Sequence, residues 1–188
     1  VVNKYANPSF VYAGGMDKWQ CIEETLDIFC QIEENIPAAS LTLLTKDKAK
    51  AEELIKKYNI KNYKISFVSL ENLDAELMKH KYGFLIRQDH IVNNVSTPTK
   101  MNSYLANGII PIYTNAIDDF NWKLSGLKSC IQLNCDNRIE QWVQEIITYE
   151  RFSSIDSIEF KREMELIFEK YYSRNLYIEK NSDYLKSL

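Results

Sequence analysis

The chain has 188 residues, of which 45% are hydrophobic and 26% charged, and its formal net charge is −3. This composition is typical of a globular domain that can bury a core. It excludes a sequence-wide basic surface for nucleic acid, and the sequence has no run near the roughly 18 apolar residues that cross a bilayer.

The first residue and the cysteines bear on the cellular context. The chain begins with Val1 rather than methionine and shows no signal-peptide pattern, so we expect a piece of a longer chain. No two cysteines have the CxxC spacing of a zinc knuckle or a redox motif, and with only two histidines a structural zinc site is not expected. We expect reduced, mostly buried thiols in a reducing cytosol. The four are Cys21, Cys30, Cys130 and Cys135.

Strand and helix patterns alternate along the chain. Short apolar runs predict six strands, at residues 10–13, 40–45, 64–70, 82–87, 109–114 and 130–133. Apolar positions at helical spacing predict helices at about residues 17–32, 47–58, 71–80, 97–107, 136–148 and 155–172. The residues beyond Arg174 predict a last, charged helical tail.

Polar residues set the expected helix starts, and apolar stripes set the inner faces. The residues predicted to introduce helices are Asp17, Ser69 and Asp136. Helical spacing places Trp19 on the inner stripe of the first helix and Met78 on that of the third.

This alternation predicts an α/β fold, a doubly wound parallel sheet of six strands with helices on both faces. The strands are continuous apolar runs, as expected for a sheet that is buried on both sides. Residues 1–188 are predicted to form a single Rossmann-like domain, with a core at about 10–150 and C-terminal helices at about 155–186. Ligands of such sheets bind beyond the carboxyl ends of the strands, where the strand order reverses. The turn at Gly14 and Gly15, residues 69–71 and residues 89–100 should therefore share one rim.

The segment 89–106 carries the strongest functional signal. Its first half is polar with two adjacent asparagines, which predicts a loop. Thr97 is then a good N-cap, and Pro98 suits the first helical position. The start of a helix offers free backbone N–H groups and a positive dipole end, and Lys100 adds a full charge. We interpret this segment as the phosphate-facing wall of a nucleotide site.

Three features near this rim have more than one interpretation. Gly14 and Gly15 either make a tight turn or let a ligand approach closely, and the GxGxxG fingerprint is absent because Gln20 lies where a later glycine is expected. Lys100 is either a phosphate ligand or a solvated lysine. Arg87 either forks onto phosphate oxygens or pairs with Asp89. The neighbouring His90 is more simply a surface or hydrogen-bonded residue than a general base.

Two segments together resemble a known family. FVYAGGMDKWQ and GFLIRQDHIVNNVSTPTKMNSYLANGIIPI resemble the carboxyl-terminal, donor-binding domain of GT-B glycosyltransferases. The likeness is closest to the large retaining family (group 1, or family 4-like) that includes bacterial capsule, exopolysaccharide and lipopolysaccharide sugar transferases. It covers about residues 10–172. The PTK…YLANG…P segment is its most specific part.

The resemblance implies a function for the whole protein. It implies transfer of a sugar from a nucleoside-diphosphate sugar, as co-substrate, to a glycan or lipid-linked acceptor, with no other cofactor and no metal. The acceptor-binding N-terminal domain is absent from this sequence, so we expect this chain alone to be inactive. The resemblance also implies a cytoplasmic protein, and it allows peripheral association of the full-length protein with the inner face of the cell membrane.

The resemblance assigns roles to individual residues. Lys100 and Asn94 are implied as catalytic residues. The glycine turn matches the family's contact near the donor phosphates, the segment from Ser69 borders the base, and the loop before Pro98 surrounds the sugar and diphosphate. The implied substrate-binding residues are Gly14, Gly15, Lys18, Ser69, Leu70, Arg87, Asn93, Val95, Ser96, Thr97, Pro98, Thr99 and Ser103.

The sequence departs from the family pattern at three places. Ser103 stands where the family usually has a glutamate that accepts hydrogen bonds from ribose, and serine is shorter and uncharged. The partner glutamate of the family would fall at Val95. A basic Arg–Lys pair after the first strand is not evident, and only Lys18 is nearby. These departures favour an alternative, a non-catalytic nucleotide or nucleotide-sugar binding module. A receiver-like signalling domain fits less well, because no aspartates cluster after the first strand.

Overall fold

The computed structural model describes residues 3–94 and 98–172. Its six strands are β1 (Ser9–Ala13), β2 (Ser40–Leu44), β3 (Tyr63–Ser66), β4 (Tyr82–Leu85), β5 (Ile110–Thr114) and β6 (Ile131–Leu133). Its α-helices are α1 (Ile22–Asn35), α2 (Lys48–Lys57), α3 (Leu70–Leu77), α4 (Ile91–Asn94), α5 (Thr99–Ala106), α6 (Asp118–Lys123), α7 (Ile139–Phe152) and α8 (Ser157–Tyr172). Short 3-10 helices occupy Lys4–Ala6 and Lys18–Gln20.

All six strands pair in parallel in the order β3-β2-β1-β4-β5-β6. The chain moves outward from β1 in one direction, returns, and continues from β4 in the other. The reversal therefore lies between β1 and β4, where a crevice opens at the carboxyl edge. This arrangement confirms the predicted class, a doubly wound Rossmann-like sheet consistent with one half of a GT-B fold.

The core lies between the central strands and the helices on either face. The Phe10 ring of β1 stacks at 4.8 Å on Tyr82 and at 5.5 Å on Phe84, both on the neighbouring strand. Helices α1 and α7 bury their apolar stripes, and Leu26 and Ile146 are both fully buried. Each such side chain contributes about 1.5–3 kcal/mol through burial.

A glycine brings α5 close to the sheet. A Cβ built on Gly83 in β4 would lie 2.7 Å from the Tyr104 ring of α5, so only glycine leaves room for this ring. The Tyr104 hydroxyl donates to Phe84 O at 3.2 Å and accepts from Ala13 N at 3.4 Å. These bonds hold α5 against the ends of both central strands, which fixes where its first turn lies relative to the glycine corner.

The first predicted helix is interrupted. A 3-10 turn at Lys18–Gln20 is followed by Cys21 in the left-handed region, with φ 53° and ψ 42°, and α1 begins only at Ile22. Asp17 precedes the 3-10 turn and makes no side-chain cap. The left-handed residue breaks the helical phase, so Trp19 is 60% exposed and does not continue the inner stripe of α1. The predicted inward position of Trp19 is therefore wrong.

Other helix boundaries also differ from the predictions. Helix α3 follows Ser69, as predicted, but ends at Leu77, which leaves Met78 54% exposed rather than inward. Helix α7 begins at Ile139 after Arg138, whose N–H donates to Gln141 Oε1 at 2.9 Å, so Asp136 is not its cap. The polar stretch predicted as a loop contains α4, and α6 was not predicted.

Two remaining expectations concern the membrane and the thiols. No helix within residues 3–94 and 98–172 is long and apolar enough to cross a bilayer. All four cysteines are free thiols. Cys21 is buried, whereas the other three are only half-buried. The predicted helical tail beyond Arg174 lies outside the described residues.

Candidate functional site

A cavity of about 530 Å³ opens at the carboxyl edge of the sheet. It is bounded by the ends of β1, β2 and β3, by the start of α3 and by the first turns of α5. Of the residues predicted to bind substrate or to be catalytic, the cavity brings together Gly14, Gly15, Leu70, Thr99, Lys100 and Ser103.

The double glycine admits a neighbouring side chain. A Cβ on Gly14 would lie 3.0 Å from Lys100 Cε and 2.9 Å from Gln20 Oε1, and it would collide with Lys100 Nζ. A Cβ on Gly15 would lie 2.9 Å from Asp17 Oδ2. Neither glycine has a positive φ. Close approach, rather than turn conformation, is therefore what requires glycine here, and the group that approaches Gly14 is Lys100.

Lys100 forms one wall of the cavity. Its Nζ donates to Gln20 Oε1 and lies 4.7 Å from the centroid of the Tyr12 ring, whose hydroxyl in turn donates to Gly15 O at 2.6 Å. Burial and, to a lesser extent, the charge of Arg87 together lower the pKa of Lys100 to about 7. Lys100 is thus a half-buried amino group at the cavity surface that titrates near neutrality, and not a solvated lysine.

Arg87 lies deeper than either interpretation of the sequence expects. It is 2% exposed, and its Nη1 donates to Gln20 O at 3.2 Å and to Ile86 O at 2.8 Å. Its Nε has no hydrogen-bond partner in the part of the chain that the structure describes, and the exposed Trp19 ring covers the guanidinium at 5.3 Å. Among the described residues it forms no ion pair with Asp89, and it does not line the cavity. Burial lowers its pKa.

Helix α5 presents its amino end to the cavity. It begins at Thr99, so Pro98 occupies the cap position rather than the predicted first helical position. The first N–H groups of a helix have no intrahelical acceptor and carry its positive dipole end. Ser103 lies one turn further along, and its Oγ donates to Thr99 O at 3.5 Å. The predicted site residues Val95, Ser96 and Thr97 lie outside the described residues.

The asparagines that follow β4 hold their own segment together. Asn93 is buried and donates to Gln88 O at 2.9 Å. Asn94 donates to Asp89 Oδ1 at 3.0 Å and accepts from His90 N at 3.2 Å. Neither asparagine lines the cavity.

Two further predicted residues also lie outside the cavity. Lys18 is exposed and borders a separate depression of about 450 Å³ between α1 and α2. Ser69 is exposed at the start of α3, where its Oγ accepts from Asn72 Nδ2 at 3.1 Å.

Sequence reasoning missed Gln20, which we had considered only as a departure from a glycine motif. It is 8% exposed, and it touches both cations of the site, Lys100 through its side chain and Arg87 through its main chain. No periodicity marks such a residue, because it lies in a 3-10 turn between a strand and a helix. Also missed were Lys46 and Asp47 beyond β2, and three apolar lining residues, Phe67, Val68 and Leu77.

The arrangement suits an anion that is joined to an apolar ring. In the described part of the chain, neither Arg87 nor Lys100 pairs with a carboxylate, so two cations share a region of low dielectric with only neutral acceptors. An anion would relieve their mutual repulsion, and the amino end of α5 adds donors beside them. The wall beyond β3 supplies apolar surface. No group of three or more metal-ligating side chains occurs among residues 3–94 and 98–172.

Solved structures share this fold at low sequence identity. The structure described as trehalose-6-phosphate from E. coli bound with UDP-2-fluoro glucose has a TM-score of 0.66 and 13% identity, over 98% of this chain and 45% of that one. An S. aureus TarM mutant in complex with fondaparinux, alpha-GlcNAc-glycerol and UDP has a TM-score of 0.71 and 13% identity, over 94% and 35%. The GtfA/B complex has a TM-score of 0.67 and 14% identity, over 88% and 33%.

The chain thus spans less than half the length of each of these structures. No protein-family model and no curated protein sequence matches it. At these identities the likeness establishes the fold.

Proposed function

We propose that this chain is the nucleotide-sugar-binding domain of a glycosyltransferase, which transfers a sugar from a nucleoside-diphosphate sugar to a glycan or lipid-linked acceptor. The observation that carries the proposal is the position of Lys100, whose ammonium lies across Gly14 at the amino end of α5, inside the cavity next to the strand-order reversal. The fold neighbours crystallised with UDP or UDP-2-fluoro glucose support the same ligand class.

In this proposal the diphosphate lies against Lys100 and the first N–H groups of α5. The base extends into the apolar part of the cavity beside Leu70 and Leu73. Cleavage leaves the bonding electrons of the sugar–oxygen bond on the nucleoside diphosphate. The ammonium and the helix amides would stabilise this developing charge, which is electrostatic catalysis by preorganised donors. Metal independence belongs to the proposal as well.

The finer assignments are also proposals. We assign the full-length protein to bacterial surface-polysaccharide synthesis in the cytoplasm. A domain outside this chain would bind the acceptor. Asn94 is kept as a catalytic candidate, although its amide is engaged by Asp89 and the His90 backbone in this structure. The chain alone is expected to bind the donor without turnover.

A second candidate is a binding module without catalysis. The observation that favours it is Ser103, whose short hydroxyl donates to its own helix at Thr99 O and presents no carboxylate to a ribose. Single-turnover sugar transfer by the full-length protein separates the two candidates. Tight donor binding without any transfer would leave binding as the whole function.

The direct test is a calorimetric titration of the chain with UDP, GDP and their sugar conjugates. We expect binding by at least one of them, and the Lys100→Met variant should lose about 1–3 kcal/mol of that binding because a charge-assisted bond is removed. Lys56→Met is the matched control, since Lys56 is exposed on α2 and does not line the cavity. No heat from any nucleotide would contradict the proposal.

A further inference from the structure

One residue, Gln20, holds both Lys100 and Arg87. The side-chain oxygen of Gln20 accepts from Lys100 Nζ, and its main-chain oxygen accepts from Arg87 Nη1 at 3.2 Å. Both acceptors are neutral carbonyl groups. Gln20 is itself buried, so its side chain has little freedom to follow Lys100 if the lysine moves.

The groups that face Lys100 include little negative charge. Tyr12 of β1 and Tyr104 of α5 are neutral, because burial raises the pKa of both. Arg87, from the end of β4, is a second cation, and Lys46 is a third on the opposite wall. Asp17 lies beyond Gly15, and Asp47 accepts from Lys50 N at 3.1 Å as the cap of α2. No carboxylate in the described part of the chain forms an ion pair with Lys100.

We infer that Gln20 is a positioning residue that parks the Lys100 amino group over Gly14, and that the cavity takes up its anionic ligand together with one proton on this amino group. A neutral amine and an ammonium both donate to a carbonyl oxygen, so the parked position holds in either protonation state. The ammonium is the better donor, so Gln20 favours it modestly, whereas an anionic ligand favours it far more. The inference rests on the proposed function for the identity of that ligand.

The proton comes from solvent, and no covalent bond of the ligand or of the chain is made or broken. Because the pKa of Lys100 is about 7, its amino group is mostly neutral in mildly basic solution when no ligand is bound. Two phosphate oxygens next to Nζ favour the ammonium and raise this pKa. Affinity should then fall about tenfold for each unit of pH above 7, up to the raised pKa of Lys100 in the complex.

The first experiment counts the proton. UDP-glucose is titrated into the chain between about pH 6 and pH 8.5, in pairs of buffers with different heats of ionisation. Both phosphates of UDP-glucose are esterified and do not titrate in this range, so any uptake belongs to the protein. We expect uptake close to zero at the acidic end and close to one proton at the basic end. Lys100→Met should abolish the uptake, and Lys56→Met should keep it.

The second experiment needs no ligand. The lysines are labelled by reductive methylation with ¹³C, the signal missing from Lys100→Met is assigned to Lys100, and its pH titration is followed by NMR. We expect a midpoint near neutrality in the wild type. Gln20→Glu should raise the midpoint by more than about one unit and weaken UDP-glucose binding about tenfold, because an internal carboxylate then competes with the ligand. Gln20→Met should lower the midpoint, since an acceptor is lost.

The outcomes distinguish this inference from the proposed function. UDP-glucose binding without proton uptake, or a wild-type Lys100 that titrates like an exposed lysine, overturns the inference and leaves the proposed function standing. A midpoint that Gln20→Glu does not move overturns the role of Gln20. If neither UDP, GDP nor any of their sugar conjugates binds at any pH, while Lys100 titrates near neutrality, the proposed function and the linked proton are overturned together.

Discussion

Two lysines at opposite edges of the sheet differ in the groups that they contact, and this difference determines what each can do. Lys81, at the amino end of β4, is buried and pairs with Glu150 Oε2 at 2.7 Å, and the Tyr82 hydroxyl donates to Glu150 as well. Lys100, at the carboxyl edge, donates to the neutral oxygen of Gln20 and forms no ion pair with a carboxylate of residues 3–94 and 98–172. The first charge is neutralised within the fold. The charge of Lys100 can be neutralised by an anionic ligand, so the cavity beside it is suited to bind an anion.

The largest effect should come from breaking the pair at the amino edge. Lys81→Met leaves the Glu150 carboxylate half-desolvated without its cation, and we expect the free energy of unfolding to fall by about 3–5 kcal/mol. Urea unfolding at neutral pH measures this change. The double variant Lys81→Met with Glu150→Gln removes both charges and should recover part of the loss. A single variant as stable as the wild type would contradict the structural role of the pair.

The same edge should make the protein sensitive to acid. His80 is 7% exposed, and neither ring nitrogen has a hydrogen-bond partner among the described residues. Burial lowers its pKa from 6.5 to about 4. Between these values the unfolded chain binds the proton and the folded one does not, so stability falls as the pH drops from 6.5 to 4. The full loss is about 3 kcal/mol.

Chemical denaturation across this pH range, compared between the wild type and His80→Leu, tests the assignment. The variant should lose most of this slope. An equally steep slope in both proteins would show that other groups cause it.

Lys100→Met should change the free energy of unfolding in the opposite direction to Lys81→Met. The pKa of Lys100 is lowered on folding from 10.5 to about 7, so the wild type loses stability as the pH falls through this window, and the methionine variant does not. We expect the variant to be more stable than the wild type by about 2 kcal/mol at pH 6, with a smaller gain at pH 9. Thermal unfolding at both pH values measures this difference. Destabilisation at pH 6 would mean that Lys100 is structural, like Lys81.

The smallest effect should follow from crowding Lys100. Gly14→Ala places a methyl group against Lys100 Cε and Gln20 Oε1, and both are side-chain atoms that can shift. We expect a loss of about 1 kcal/mol in UDP-glucose affinity and little change in unfolding. Gly83→Ala is the contrasting variant, since its methyl group meets the Tyr104 ring in the core and should destabilise the fold by about 1–3 kcal/mol. Equal effects of the two variants on binding would remove the special role of Gly14.

The sheet could be predicted from the sequence because its strands are continuous apolar runs with short connections. Few topologies are compatible with such a pattern. The sequence also placed Lys100 beside the double glycine, since both follow central strands. The sequence did not predict features that depend on how deeply a side chain is buried or on contacts between residues far apart in the chain. Arg87 is predicted to reach a phosphate or Asp89, but it is 2% exposed and the Trp19 ring covers it. The ion pair of Lys81 joins residues 69 positions apart, and local patterning does not show that distance.

The prediction of helix boundaries was wrong for a local reason. Asp136 has the right side chain for a cap, but the chain turns two residues later and α7 begins after Arg138. Gln20 escaped attention because a buried amide in a one-turn helix has no periodic signature. The site was therefore predictable as a rim with glycines and a lysine, and unpredictable as a network of hydrogen bonds.

The left-handed backbone of Cys21 has a consequence for evolution and for engineering. A non-glycine residue in this conformation costs roughly 1–2 kcal/mol, which glycine would not. The residue separates the 3-10 turn that carries Gln20 from the long helix behind it, so we expect the corner to change its chemistry with little effect on the packing of that helix. Libraries randomised over residues 15–20, with Cys21→Gly as background, should accordingly retain the scaffold while exploring new ligands.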